Sequence, residues 1–413
     1  MRSAYGIPGA IAGGALVSRA LLAQAPARFS PDLAQAAPVA TAWGGYGAIL
    51  WGVLALALCA AGASYAWALR ERPYGPREIA LVCALSCAAG FFWLPLFSSD
   101  VYAYAAYGEL ARMGLDPYSH ARPAMPNAVI AAADWQWSGL APVCVYGPAF
   151  VALAAVIDAL LAHASVLIHV QAFRLAACGA LIALVPVAAR WRGPRAAAVI
   201  ALHPLAIWSA IEGHNDVLML ALALAGVTLA RTRPAAGLAL ATLATLVKLP
   251  AVSAAAPAAR RAPRAAVAAA LAIGLGYLPL LIAVRTDLAP HGRYAPQASV
   301  QALGPIVAAA LAIAVVARIR AFAGSDRWCI AALALWIAIP NPYPWYALWL
   351  LPLIVLAEDG RVRAALWIVS AAAALHYLPD AAGSVATPAE WLLALAAFAG
   401  YVPLFARAIM TRS

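Results

Sequence analysis

Residues 195–233 read RAAAVIALHPLAIWSAIEGHNDVLMLALALAGVTLARTR, and this stretch decides the fold. Two apolar arms lie between arginines, and the tip between them is Glu212-Gly213-His214-Asn215-Asp216. Apolar arms with arginine at their feet are the pattern of a membrane hairpin anchored on the cytoplasmic side. The arm Val217–Ala230 has 14 residues, or ~21 Å at 1.5 Å per residue, against a hydrocarbon core of ~30 Å. So short an arm cannot lift its polar tip clear of the bilayer. The tip is expected in a recessed, outward-opening cavity, because polar backbone at that depth needs protein or water around it.

The same grammar runs outward in both directions. Arginine clusters recur at 190/192/195, 231/233, 260/261/264, 318/320/327, 361/363 and 407/412. The 233–260 hairpin breaks at Lys248-Leu249-Pro250, and 327–361 breaks at Asn341-Pro342-Tyr343-Pro344-Trp345-Tyr346. Towards the N-terminus, Trp43–Leu69 leads to Arg70, Arg72 and Arg77, and Glu78–Phe97 returns outward. The polar stretch 98–142 holds Asp100, Glu109, Asp116 and Asp134 against Arg112 and Arg122, so it is expected outside. Between 142 and 190 the chain must cross an odd number of times, which makes 145–163, with Asp158 and His163, re-entrant or interfacial.

Composition agrees. Of 413 residues, 66% are hydrophobic and 10% charged, and mean hydropathy is +0.86; a soluble domain carries about 45–50% apolar and about 25% charged residues. The expected fold is an all-α polytopic transmembrane bundle of about 12–14 membrane segments. Soluble enzymes, disordered chains and disulfide-stapled modules are excluded. The net charge of +11 comes from 26 arginines and Lys248, set mostly in short loops, with no basic patch to hold a nucleic acid. The cysteines at 59, 83, 87, 144, 178 and 329 have no zinc-ligand spacing and read as small core residues. Residues 1–42 form a signal-like or first membrane segment plus an outer linker, and 43–413 form one transmembrane domain.

Ionisable groups inside membrane segments are functional candidates by default. Lys248 needs an anion, either Glu212 or Asp216 of the protein or the phosphate of a ligand. Asp100 follows Ser98-Ser99 and reads equally as a helix cap or a catalytic carboxylate. Tyr104 and Tyr107 would line one face of an interfacial helix after it, and Tyr118, Trp135, Trp137 and Tyr146 add aromatic surface. The chain has no phosphate-binding glycine loop and no D-x-D pair for a metal-nucleotide-sugar. A cavity in the membrane with a carboxylate and one cation points to a lipid-linked phosphate substrate.

Ser99-Asp100-Val101-Tyr102-Ala103-Tyr104 and Gly114-Leu115-Asp116-Pro117-Tyr118 resemble the first outer loop of polyprenol-phosphate-mannose-dependent α-mannosyltransferases of the GT-C superfamily. The series continues in order with Tyr146-Gly147-Pro148, Gly213-His214-Asn215-Asp216, Val247-Lys248-Leu249-Pro250 and Tyr343-Pro344-Trp345-Tyr346. The resemblance implies a membrane hexosyltransferase with mannose favoured. Asp100 would be the base and Lys248 would hold the donor phosphate, and from the outer 285–302 loop Arg293 or His291 is expected to help there. Tyr102, Tyr104, Asp116, Tyr118, Tyr146, Glu212, His214, Asn215, Asp216, Tyr343 and Trp345 would line the sugar and acceptor sites. It also implies a polyprenyl-phosphate-sugar donor, a glycan or lipid-linked acceptor, no cofactor or metal, and a site on the outer face of the cytoplasmic membrane. The rival readings are a lipid flippase and a glycan polymerase or ligase. Flippases favour paired broken helices in corresponding halves, a symmetry the breaks at 212–216, 248–250 and 341–346 lack.

Overall fold

The structure is a computed structural model that describes residues 3–23, 47–71, 73–93, 98–119, 123–124, 127–137, 140–287, 324–338 and 343–382. Among these residues every regular element is helical, as the sequence predicts. In chain order they are α1 (Gly6–Ala23), α2 (Gly47–Ala68), α3 (Pro76–Gly90), α4 (Asp100–Arg112), α5 (Ala128–Gln136), α6 (Pro148–Leu160) and α7 (Val166–Arg192). Then come α8 (Pro194–Ala201), α9 (Pro204–Ile211), α10 (Asn215–Leu229), α11 (Pro234–Val247), α12 (Val252–Ala259) and α13 (Pro263–Asp287). The last are α14 (Gly324–Ala338), a 3₁₀ segment Pro344–Leu350, α15 (Leu351–Leu356) and α16 (Gly360–Ala382).

Proline cuts the apolar sequence into these pieces. Helices α3, α6, α8, α9 and α11 and the 3₁₀ segment all begin on proline, after Gly75, Gly147, Gly193, His203, Arg233 and Tyr343. At the first helical position proline loses no bond and its φ is preset, while its ring turns the preceding residue away from helix. Among the described residues, two helices are long and apolar enough to cross a membrane, Val166–Arg192 and Pro263–Ile282. A third candidate is the pair α8–α9, bent by 57° at its break. Shorter apolar helices among the described residues include α6, α10 and α11.

The first two breaks fall where the sequence places them. The turn 212–214 separates α9 from α10, and Lys248 ends α11 before a single 3₁₀ turn and α12. Of the third break, 343–346 are described and 341–342 lie outside the described residues.

Helix α4 departs from expectation. Val101 through Leu110 are all buried, so α4 is a core element and not an amphipathic surface helix. Gly108 lets it lie against the backbone of α6, where an added Cβ would fall 2.4 Å from the Ala154 carbonyl oxygen. Below it a polar cluster joins four helices. Arg112 bonds Asp158 of α6 at 2.6 Å and Glu109 at 2.6 Å, His169 of α7 lies 3.2 Å from Asp158, and Asn127, the cap of α5, reaches Glu109. Asp158 is therefore paired, which explains how a carboxylate sits in the apolar 145–163 run.

Candidate functional site

The site is assembled from four segments that meet beside α4. At the α9–α10 turn, Gly213 adopts φ +84, a backbone open to glycine, and a Cβ there would press on Val101 and Arg174. Arg174 fixes that turn from below. Buried inside α7, it donates to Ile211 O at 2.5 Å, Gly90 O at 2.8 Å and Gln171 Oε1 at 3.0 Å. The turn leaves His214 as the cap residue of α10 and puts Asn215 and Asp216 in its first turn.

The second and third segments are locked together. Helix α11 ends at Lys248, whose extended backbone (φ −153, ψ 128) leads into Leu249-Pro250. A helix end leaves carbonyls without partners, and the Gly147 N–H takes the one on Val247 at 3.0 Å. Only glycine allows that approach, since a Cβ would lie 2.1 Å from the Leu246 carbonyl oxygen. Gly147→Ala is expected to lower stability by roughly 1–3 kcal/mol, the range for overpacking. An unchanged thermal midpoint would show that this contact does not hold the loop.

Tyr146 is thereby set between two charges. Its Oη donates to Asp100 Oδ2 at 3.2 Å, and the Lys248 ammonium lies 5.1 Å from its ring centroid. Tyr104 Oη is 3.4 Å from the same Asp100 oxygen and 3.3 Å from Tyr146 Oη. His214 Nδ1 is 3.7 Å from Asp100 Oδ2. Asp100 is no cap: its own N–H bonds Ser98 Oγ at 3.1 Å, and no side-chain cap bond closes the start of α4. Its side chain is 16% exposed while those of His214 and Asp216 are at 0%, so Asp100 is the acidic group that solvent reaches. Burial pushes its pKa from 3.8 to about 6, against the opposing pull of Lys248 and of the Tyr146 hydrogen bond.

Lys248 finds its protein partner in Asp216, with Nζ 2.9 and 2.7 Å from the two carboxylate oxygens. Trp349 Nε1 donates to Asp216 Oδ1 at 2.8 Å and holds that carboxylate. Around the ammonium stand three aromatic rings, with Tyr346 at 4.4 Å and Trp349 at 5.6 Å besides Tyr146. The 3₁₀ segment explains two of them, because side chains three apart eclipse along such a helix, and Tyr346 and Trp349 stack at 4.8 Å. On its other edge Trp345 stacks on His214 at 3.9 Å and on Tyr343 at 4.8 Å. Both ring nitrogens of His214 and both amide atoms of Asn215 are buried without a hydrogen-bond partner. Among the described residues no group of three or more His, Cys, Asp or Glu is placed to hold a metal ion.

The expected residues thus fall into three sets. Asp100, Tyr104, Tyr146, His214, Asp216, Lys248, Tyr343 and Trp345 converge, with Asn215 beside them. Asp116 is exposed and accepts the Tyr118 N–H at 3.0 Å, while Pro117 O takes the Cys144 N–H at 2.8 Å. Asp116 and Tyr118 therefore shape the loop that carries Tyr146, outside the contacts of Asp100 and Lys248. Tyr102 is buried where the charges of Glu212 and Arg174 act on it, a neighbouring group. Arg293 and His291 lie outside the described residues. Trp349 and Arg174 were not expected at the site, and Tyr346 entered only as the end of the motif Tyr343-Pro344-Trp345-Tyr346. Aromatics at 343, 346 and 349 and an arginine inside an apolar run were the available signals.

A stretch of 163 residues is 32% identical to alpha-(1->6)-mannopyranosyltransferase A of Mycobacterium tuberculosis (strain ATCC 25618 / H37Rv), covering 36% of this chain and 30% of that protein. The chain thus matches less than a third of that relative's length. No solved structure matches. Residues 4–262, well over half of the chain and including Asp100, Tyr146, Asp216 and Lys248, match the family described as alpha-(1->6)-mannopyranosyltransferase, N-terminal domain, and the chain belongs to that family.

Proposed function

We propose that the chain is a polytopic membrane mannosyltransferase of the GT-C type. In this reading it moves mannose from a polyprenyl-phosphate-mannose donor to a glycan or lipid-linked acceptor, on the outer face of the cytoplasmic membrane. The observation that supports the reading is the link Asp100–Tyr146–Lys248, in which one tyrosine touches both a partly exposed carboxylate and the sole lysine of the sequence.

Asp100 takes the proton of the acceptor hydroxyl. The hydroxyl oxygen forms its bond to the anomeric carbon from the face opposite the phosphate, so the configuration inverts. The carbon–oxygen bond to phosphate breaks, and its electron pair leaves on the polyprenyl phosphate. An ammonium has three N–H donors. The two bonds to Asp216 leave one for a phosphate oxygen, and charge stabilisation of that kind is often the largest catalytic contribution. Buried polar groups are normally satisfied, so the unpartnered His214 ring and Asn215 amide are the groups that sugar hydroxyls would complete. The reading assigns no cofactor beyond the donor, and leaves Arg293 and His291 as helpers at the phosphate.

The test is a donor screen with the purified chain in nanodiscs, using mannose, glucose and arabinose polyprenyl phosphates. Acceptor-dependent release of free polyprenyl phosphate from the mannose donor is expected. A lipid flippase would move the donor without cleaving it, and intact donor throughout would contradict the proposal.

A further inference from the structure

We infer that Tyr146 is a positioning residue with two separable jobs: its hydroxyl orients Asp100, and its ring face seats the Lys248 ammonium. The inference rests on Asp100 acting as the base and Lys248 as the phosphate group.

The geometry is rigid at each joint. The backbone of residue 147 is tied to Val247, one residue before Lys248. The Tyr146 ring meets Tyr104 edge-on at 5.2 Å and Phe150 at 5.2 Å, which block its rotation. From this seat the hydroxyl reaches Asp100 Oδ2 at 3.2 Å and the ring face meets Lys248 Nζ at 5.1 Å. A cation within about 6 Å of a ring centroid is drawn to the face of the ring. The titratable and charged groups that face Asp100 are Tyr104 of α4, Tyr146, His214 at the α9–α10 turn, Asp216 of α10, Lys248 at the end of α11 and Tyr346 of the 3₁₀ segment. Tyr104, Tyr146 and His214 all meet Asp100 at Oδ2, and the Ser98 side chain also bonds the carboxylate. One residue then touches both the base and the cation, which Asp216, Tyr346 and Trp349 hold from its other sides.

Tyr146→Phe removes the first job and keeps the second, whereas Tyr146→Leu removes both. The readout that needs no donor is an infrared titration of the purified chain in nanodiscs, with the Asp100 carboxyl band assigned by its loss in Asp100→Asn. Its midpoint is expected near 6 in the unaltered chain and roughly one unit higher in Tyr146→Phe, since a hydrogen bond to the charged form is lost. With mannose donor, Tyr146→Phe is expected to move the acidic limb of kcat by the same amount and leave donor KM within about twofold, while Tyr146→Leu also raises donor KM roughly five- to tenfold. An unmoved midpoint in Tyr146→Phe, or equal donor KM in the two variants, overturns the inference. Failure of the unaltered chain to transfer sugar would sink the proposed function instead, and the titration would still report on Tyr146 and Asp100.

Discussion

Asp100→Asn is expected to leave the protein folded and to cut mannosyl transfer by about 10²–10⁴-fold, the usual contribution of a positioned general base. Asparagine keeps the shape of the side chain and still accepts from Tyr146, but it cannot take a proton. Stability gives an independent check. A carboxyl raised from 3.8 to about 6 binds its proton more tightly folded than unfolded. Folding stability from this group therefore rises as pH falls through about 6 and levels off below 3.8. At neutral pH the ionised Asp100 is a cost, so Asp100→Asn should unfold at the same temperature as the unaltered chain or higher. For the unaltered enzyme, activity should fall on the acid side with a midpoint near 6 rather than near 3.8. Full retained transfer in Asp100→Asn would remove the residue from the role. A large loss of stability would make it structural.

Lys248 requires a different experiment, because the structure gives it a protein partner. Breaking a buried ion pair by removing one member leaves an uncompensated charge and costs roughly 3–5 kcal/mol, whereas replacing both members is often close to neutral. Lys248→Met alone is expected to lose about that much stability, since Asp216 stays buried. The double replacement Lys248→Met with Asp216→Asn should recover most of it, because the asparagine oxygen still accepts from Trp349. Activity should not recover, since no cation remains to meet the leaving phosphate. Thermal unfolding and transfer rates on the three proteins separate the outcomes. Recovery of both stability and activity in the double variant would make the pair a structural device only.

Much of the site was legible in the sequence because it is written in punctuation. The Glu212–Asp216 tip, the break at Lys248-Leu249-Pro250 and the Tyr146-Gly147-Pro148 turn interrupt apolar runs, and glycine and proline fix where the chain must bend. The all-helical class followed from the same alternation. Partner choice was less legible. Sequence left Lys248 to Glu212, Asp216 or a ligand, and only packing selects Asp216, one turn into α10, while Glu212 lies nearer Tyr102. Helix α4 misled because its tyrosines mimic an interfacial face, while Gly108 admits α6 and closes the protein over it. Arg174 was hidden among arginines read as topology signals, although it lies within α7 and bonds the backbone of two neighbouring segments.

The account stands on Lys248 holding the donor phosphate beside Asp100, the base for the acceptor hydroxyl. Its most direct test is the affinity of the purified protein in nanodiscs for polyprenyl phosphate, read by tryptophan fluorescence. Asp100→Asn should bind within about twofold of the unaltered chain, while the stable double variant at Lys248 and Asp216 should bind at least about tenfold more weakly, the loss of a charge-assisted contact. Equal binding by the double variant would contradict the account.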